Sequence, residues 1–348
     1  MYSTQNYAHR YAYKLLAIFL LLLSSAALAA SGQERAETAG RSLIGAAAPR
    51  LVFKSIDGVD VDLGSLYGKK AVYLKFWATW CQPCREQMPH FQRSYEQAGA
   101  DLAVIGVNAG FNDTVADVRE YRRSLGLGMP LIIDDGRLAS ALHLRVTPQH
   151  IVIGRDGRIL YVGHLADARL DAALLAARLP AANKAALPGP DAGQAAAERH
   201  YSTGDRLPAL KLKTLDGTAF PLREPAARRP TVLVFLSPWC ESYLAGSRPE
   251  ISANCRSVRE QVSVLAKDSR MRWLGVASGL WASKEELGSY RDEFKIPIPL
   301  VLDDSGDLFR AFGVNSVPTL LVVDADGKII RRIEGPAVRP SAKLASLL

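Results

Sequence analysis

The two halves of this chain repeat the same residues at a constant spacing of 159 positions. Cys81 and Cys240 show this spacing, and each directly follows a tryptophan, Trp80 or Trp239. The same spacing relates Gly45 to Gly204, Pro49 to Pro208, and the Asp-Gly dipeptide at 57–58 to that at 216–217. A register without gaps over so long a stretch is hard to obtain by chance. The sequence therefore predicts two tandem copies of one fold.

Cys81 and Cys84 stand between an apolar run, residues 71–76, and a segment that we predict to be a helix, residues 85–97. At a helix start, the dipole and the free backbone N–H groups lower the pKa of a cysteine thiol and make it a nucleophile near neutral pH. Zinc usually needs four ligands, and the chain has four Cys and six His without a second closely spaced Cys pair. The pattern favours redox chemistry over a resident metal.

Residues 77–85, which read WATWCQPCR, resemble the active site of thioredoxin-like proteins, and most of all the extracytoplasmic TlpA/ResA type. Proteins of this family face their cysteine pair with a proline in a cis peptide. The resemblance implies that Pro148, after Thr147, has this position, and that Pro318 is its copy in the second half. It covers about residues 45–180.

The resemblance implies that the chain is a thiol-disulfide oxidoreductase. Cys81 would attack a partner disulfide as a thiolate, and Cys84 would resolve the mixed disulfide. Trp80 would shield the pair, and Thr147 and Pro148 would present their backbone to the partner as to an added strand. The implied partners are protein thiols and disulfides and an upstream membrane or periplasmic electron donor. The implied direction is reductive, with no cofactor beyond the Cys81–Cys84 disulfide.

Within each repeat, predicted strands and helices alternate, and apolar runs at 71–76 and 102–107 are typical of buried central strands. Asn112 and Asp113 are predicted to cap a helix that follows them. We therefore predict an α/β fold class, with two tandem thioredoxin-like domains that each have a mixed central sheet flanked by helices. In chain order, we expect a signal peptide at 1–29, the CxxC domain at 30–180, a linker at 181–203, and a second domain with a degenerate CxxC at 204–348.

The start of the chain has the features of an export signal. Arg10 and Lys14 precede an apolar run at 15–23, and Ala27-Leu28-Ala29 forms a cleavage pattern. The apolar run is shorter than the ~20 residues that a membrane span needs. We expect an exported, periplasmic protein, with an uncleaved anchor in the inner membrane as the alternative.

Two positions near the cysteine pair depart from the family. Many thioredoxins bury an acid two residues before the position of Trp77, where this chain has Lys75. TlpA/ResA-type proteins often carry a glutamate three residues after the second cysteine, where this chain has Gln87, with Glu86 one place earlier. The candidates for proton transfer are therefore water, Glu86 and Lys75. The alternative for Lys75 is a snorkelling side chain at a strand edge.

The second half lacks the second cysteine of the motif, because Tyr243 stands at the position of Cys84. Cys255 is the other candidate partner for Cys240. In one continuous helix the two residues would be about 22 Å apart, and a disulfide spans at most ~7 Å between Cα atoms. If a helix instead begins at Ser247, with that residue as its cap, Cys240 lies on a loop and can reach Cys255. Both arrangements stay open.

Three roles follow for the second domain. It is a docking or structural copy, a second redox site that uses Cys240 and Cys255 with Pro318 opposite, or a peroxidase-like thiol at Cys240, three residues after Ser237. The first role fits a repeat that keeps its core while it loses a catalytic residue.

The formal net charge of +8 comes from scattered basic residues rather than from a basic stripe. This distribution is typical of a solvated surface, and we expect no nucleic-acid partner. A different class of function is a metallochaperone that holds Cu(I) between Cys81 and Cys84, because two soft ligands suffice for that ion.

Overall fold

The computed structural model describes residues 32–179 and 200–335, together with residues 339 and 342. The predicted signal peptide, at 1–29, and residues 181–199 of the predicted linker lie outside this part of the chain. Within the described residues, no helix is both long and apolar enough to cross a membrane.

The first domain begins with a helical segment at 32–40, which we call α1. Its further elements, in chain order, are β1 (Val52–Lys54), β2 (Asp60–Asp62), α2 (Leu63–Leu66), β3 (Ala71–Trp77), α3 (Gln82–Glu86), α4 (Met88–Glu96), β4 (Leu102–Asn108), α5 (Val115–Leu125), β5 (Leu131–Ile133), α6 (Arg137–Ala141), β6 (Gln149–Ile153), β7 (Ile159–Gly163) and α7 (Ala168–Arg178).

The second domain repeats this order. Its elements are β8 (Lys211–Lys213), β9 (Ala219–Pro221), a 3₁₀ turn (Pro225–Ala227), β10 (Thr231–Leu236), α8 (Cys240–Tyr243), α9 (Pro249–Leu265), β11 (Arg272–Ser278), α10 (Lys284–Phe294), β12 (Leu300–Asp303), α11 (Asp307–Ala311), β13 (Thr319–Val323) and β14 (Ile329–Ile333).

Each domain has a five-stranded mixed sheet with the same topology. The strand order is β5-β4-β3-β6-β7 in the first domain and β12-β11-β10-β13-β14 in the second. The first three strands of each order are parallel, and the last two are antiparallel to their neighbours. Helices cover the sheets, so the predicted fold class, two tandem thioredoxin-like α/β domains, is confirmed.

The central strand β3 is buried along its whole length, because apolar clusters cover both of its faces. Val72, Leu74 and Phe76 pack into one cluster, and Tyr73 and Trp77 pack into the other. This second cluster continues through buried residues of the second domain. One hydrophobic core therefore extends across the domain boundary.

The helix that we predicted at 85–97 is two helices that meet at Gln87. Pro89 lies in the first turn of α4, where its missing N–H leaves no helical hydrogen bond unmade. The predicted cap of α5 is also wrong, because Thr114 caps that helix through a reciprocal capping box with Asp117. Asp113 instead binds the backbone N–H and the hydroxyl of Thr79.

A disulfide joins Cys240 to Cys255, with 6.3 Å between the Cα atoms. The helical conformation is interrupted between α8 and α9. This interruption lets Cys240 fold back to Cys255, which one continuous helix would prevent. The bridged alternative is therefore the one observed. Ser247 is not the cap that we expected, since α9 begins at Pro249 after Arg248 and has no side-chain cap.

Replacement of both Cys240 and Cys255 by alanine should lower the free energy of unfolding by about 3 kcal/mol, because the bridge closes a loop of 15 residues. Urea unfolding of the non-reduced protein measures this change. The matched control is the Cys81→Ala/Cys84→Ala pair, whose loop spans three residues and should contribute about 1 kcal/mol less. Equal losses in the two double variants would contradict this account of the second bridge.

Candidate active site

Cys81 and Cys84 form a disulfide at the start of α3, with 5.2 Å between their Cα atoms. The backbone N–H of Cys84 points at the Cys81 sulfur, 3.2 Å away. Such a donor stabilises a thiolate more than a thiol, and it therefore favours Cys81 as the nucleophile of the reduced pair. Both residues are buried, Cys81 with 1% and Cys84 with 0% of their surface exposed.

The proline loop faces the disulfide, as the resemblance implied. The Thr147–Pro148 and Val317–Pro318 peptides are both cis. The carbonyl oxygen of Thr147 lies 3.4 Å from the Cys81 sulfur. The Pro148 carbonyl accepts a hydrogen bond from Nδ1 of His164, at 2.7 Å.

Lys75 lies on β3, beneath the disulfide, and is fully buried. The snorkelling interpretation is wrong because β3 is the central strand and this side chain faces the core. Its Nζ is 3.4 Å from the carbonyl oxygen of Cys84, a long hydrogen bond, and 5.5 Å from the centre of the Phe91 ring. Burial lowers the pKa of Lys75 to about 7.

A second buried basic group, His150, pairs with Lys75 across strands β3 and β6. Its Nδ1 bonds the Tyr73 hydroxyl at 2.8 Å, and its Nε2 bonds Oε1 of Gln87 at 2.7 Å. Burial and the nearby Lys75 hold the pKa of His150 well below its usual value. Gln87 also donates to the His164 carbonyl, at 3.2 Å. The region beneath the disulfide is thus basic and hydrogen-bonded.

Glu86, the other candidate for proton transfer, lies on the exposed side of α3. Its carboxylate accepts a hydrogen bond from the Gln82 side chain, at 3.1 Å. The structure therefore places Lys75 and Glu86 on different sides of the cysteine pair, one in the core and one in solvent.

Trp80 is nearly fully buried, and its indole N–H donates to the Phe111 carbonyl at 2.7 Å. Its ring stacks on Trp239 of the second domain, with 5.0 Å between the ring centroids. Tyr243 packs edge-on against the same ring, and its hydroxyl accepts the backbone N–H of Gln82 at 3.0 Å. The second domain therefore covers the start of α3.

A loop of each domain contacts the other domain, and the two loops occupy equivalent places in the fold. The backbone N–H of Asn112 donates to the Asn315 carbonyl, three residues before Pro318. In the same way, Trp281 donates to the Arg145 carbonyl, three residues before Pro148. Each loop thus reaches the proline loop of the other domain.

Side chains of these two loops form further hydrogen bonds between the domains. Asn112 Oδ1 accepts the Val317 backbone N–H at 3.0 Å, and Trp281 Nε1 donates to the Thr147 hydroxyl at 3.2 Å. Thr147 is one of the residues expected to hold a partner protein. In the described arrangement, the second domain already contacts it.

Comparison with known proteins agrees with this geometry. A family model described as the AhpC/TSA family matches residues 44–162, and one described as Redoxin matches residues 202–348. The thiol-disulfide oxidoreductase ResA of Halalkalibacterium halodurans is 35% identical over 128 residues, which are 36% of this chain and 71% of that protein. The chain belongs to the thioredoxin-like thiol-disulfide oxidoreductases of the TlpA/ResA type.

Two further similarities also cover less than half of this chain. ResA of Bacillus anthracis is 29% identical over 147 residues, which are 41% of this chain and 82% of that protein. A solved thiol:disulfide interchange protein from Chlorobium tepidum TLS is 25% identical, with a TM-score of 0.36, and the match covers 39% of this chain and 97% of that one. The two ResA similarities each correspond in length to about one domain of this TlpA/ResA-type chain.

The second cysteine pair of this TlpA/ResA-type protein is also buried, Cys240 with 1% and Cys255 with 9% of their surface exposed. Cys240 is bonded to Cys255 and is therefore not a free thiol in this structure, and the peroxidase-like role of Cys240 stays a prediction. Pro318 and Cys255 line a cavity of about 30 Å³. The described residues contain no group of three or more Cys, His, Asp or Glu that could hold a metal ion.

Sequence reasoning missed several residues that shape this site. His150 could have been found, because it lies two residues after Pro148 and pairs with Lys75 in the antiparallel register. Trp281 and Arg248 gave no signal, because they act across the domain interface, and Tyr243 was noted only as the residue at the position of Cys84. Arg248 of the second domain forms an ion pair with the buried Asp113 carboxylate, at 3.4 Å.

Replacement of Lys75 by methionine should stabilise the oxidised protein, because it removes a buried charge without an acidic partner among the described residues. Below pH 7 the folded state carries the full free-energy cost of burying the Lys75 ammonium. This cost decreases as pH rises from about 7 towards the ordinary lysine pKa of 10.5. The gain should therefore be larger at pH 6, on the order of a few kcal/mol, than at pH 9.

Urea unfolding at the two pH values measures this gain. The matched control is Lys69→Met, since Lys69 is exposed and lies just before the same strand. A Lys75→Met protein that is less stable than wild type at both pH values would show that the buried ammonium does not destabilise the folded state.

Proposed function

We propose that this protein is an exported thiol-disulfide oxidoreductase that reduces disulfides of partner proteins through Cys81 and Cys84. The observation that supports this most is the buried Cys81–Cys84 disulfide, which faces the Thr147–Pro148 peptide in a thioredoxin-like domain. Its relatives of the ResA type are themselves named thiol-disulfide oxidoreductases.

The proposed reaction uses the reduced pair. The Cys81 thiolate attacks one sulfur of the partner disulfide, and the other partner sulfur leaves with the bonding electrons. Cys84 then loses its proton and attacks Cys81, so the partner departs with two thiols and the enzyme disulfide forms again. An upstream membrane or periplasmic donor supplies the two electrons for the next cycle. The only redox group in this scheme is the cysteine pair.

In this proposal the second domain is a docking copy that occupies the partner-binding surface of the first domain. Trp239 and Tyr243 contact Trp80 and the start of α3, and Trp281 contacts Thr147. These are the surfaces that a partner protein would use, so the partner gains access when the second domain moves away from them. An auxiliary redox step through Cys240 and Cys255, with Pro318 opposite, stays a prediction, and so does the binding of Cu(I) between Cys81 and Cys84.

Replacement of Cys84 by serine should trap mixed disulfides with partner proteins, because Cys81 can still attack but nothing resolves the product. Cys81→Ser should trap none. Non-reducing gels of the reduced variants, mixed with periplasmic extract or insulin, measure the trapped species. Trapping by Cys81→Ser rather than by Cys84→Ser would overturn the assignment of the nucleophile.

Replacement of Trp281 by alanine should expose Cys81. The hydrogen bond from Trp281 to Thr147 contributes about 0.5–1.5 kcal/mol, so alkylation of Cys81 by iodoacetamide in the reduced full chain should become about two- to tenfold faster. Peptide mass spectrometry separates Cys81 from the other cysteines. Val264→Ala is the control, because Val264 is an exposed residue on α9. Equal rates in wild type and Trp281→Ala would show that this contact does not limit access.

A further inference from the structure

The buried amine of Lys75 lies beside the residue whose thiol must lose a proton in the resolving step. We infer that Lys75 is the proton acceptor for Cys84, in the place of the buried acid that many thioredoxins have. This inference rests on the function proposed above, because only a resolving cysteine needs such a base.

The position of Lys75 follows from the alternation along β3. Tyr73, Lys75 and Trp77 point to the same face of the sheet, and α3 and α4 cover that face. The Nζ of the lysine lies 5.5 Å from the centre of the Phe91 ring and 3.4 Å from the Cys84 carbonyl oxygen. The amine is thus held at the residue that carries the resolving thiol and is kept from bulk water.

The other ionisable groups near the pair are engaged elsewhere or lie outside. Both ring nitrogens of His150 are in hydrogen bonds, one with Tyr73 and one with Gln87. His164 uses Nδ1 on the Pro148 carbonyl. Glu86 is in solvent, on the outer side of α3. Of these groups, Lys75 combines burial with contact to Cys84.

The proton and electron balance of the step is simple. The Cys84 thiol gives its proton to the neutral Lys75 amine, which becomes an ammonium. The Cys84 thiolate attacks the Cys81 sulfur, the bond from Cys81 to the partner breaks, and the partner sulfur leaves with its electron pair. The ammonium then gives its proton to the departing thiolate. Cys81 and Cys84 are oxidised by two electrons, and the partner disulfide is reduced by the same two.

The pH dependence follows from the groups that face Lys75. These are Tyr73 on the same strand, Cys84 on α3, His150 on β6, and His164 after β7. Burial raises the pKa of Tyr73 and lowers the pKa of both histidines, so these three stay neutral near pH 7. Lys75, with its pKa lowered to about 7, is the group that changes charge there. The resolving rate should therefore rise through about pH 7 and then level off.

The test separates attack from resolution in the full chain. Reduced protein is mixed with a small aromatic disulfide, and acid-quenched samples are analysed by mass spectrometry for the mixed disulfide at Cys81. In Lys75→Met, attack should stay within about twofold of wild type, whereas resolution at pH 7.5 should be at least about tenfold slower, since a positioned base contributes 10²–10⁴-fold. The mixed disulfide should then accumulate although Cys84 is present.

Two matched variants complete the experiment. Lys75→Glu places a carboxylate at the same position and should recover most of the resolving rate, because a buried carboxylate can also accept the proton. Lys69→Met removes one exposed positive charge before the same strand and should resolve at the wild-type rate. If Lys75→Glu stays as slow as Lys75→Met, the position does not act by taking a proton and the inference fails.

A folded Lys75→Met protein that resolves at the wild-type rate would also overturn the inference. The pH dependence of the resolving rate in the wild-type protein is a second test. A resolving rate that rises only through the ordinary cysteine pKa of about 8.5, with no inflection near pH 7, would contradict it. Failure of the proposed function looks different, because Cys84→Ser would then trap no partner whatever residue stands at position 75.

Discussion

The stacked rings of Trp80 and Trp239 join the two domains. In each domain, this tryptophan lies just before the helix that begins at the first cysteine. Each tryptophan directly precedes Cys81 or Cys240, so this one contact fixes the active-site face of one domain against the equivalent face of the other. The buried apolar cluster that contains Trp80 continues into the second domain. The duplicated fold therefore buries the face that a single thioredoxin-like domain leaves for its partners.

The two copies share their backbone topology but differ in chemistry. In the second domain, the resolving position of the motif has become Tyr243, and its hydroxyl now accepts a hydrogen bond from the start of α3 in the first domain. The bonding partner of Cys240 has moved to Cys255, beyond a break in the helix. The position that holds Cys84 in the first domain therefore contributes to the contact between domains in the second.

The fold and the first cysteine pair could be predicted because they depend on local patterns: apolar runs, the motif WATWCQPC and the constant repeat spacing. The contacts between domains could not, because Trp281 and Arg248 act on residues more than 130 positions away in sequence. Lys75 was misjudged for a related reason. A lysine within an apolar run usually keeps its ammonium in water, and only the sheet order shows that β3 is central.

The basic character of the region beneath the disulfide affects energetics as well as rate. A buried carboxylate becomes neutral when it takes the proton of Cys84, whereas a buried amine becomes an ammonium that forms an ion pair with the thiolate. Such a pair stabilises the reduced enzyme, and a stabilised dithiol is a weaker reductant. In the proposed scheme, Lys75 therefore speeds the resolving step and limits how strongly the dithiol can reduce its partner. A lysine rather than an acid at this position therefore affects both the rate of the resolving step and the reducing strength of the dithiol.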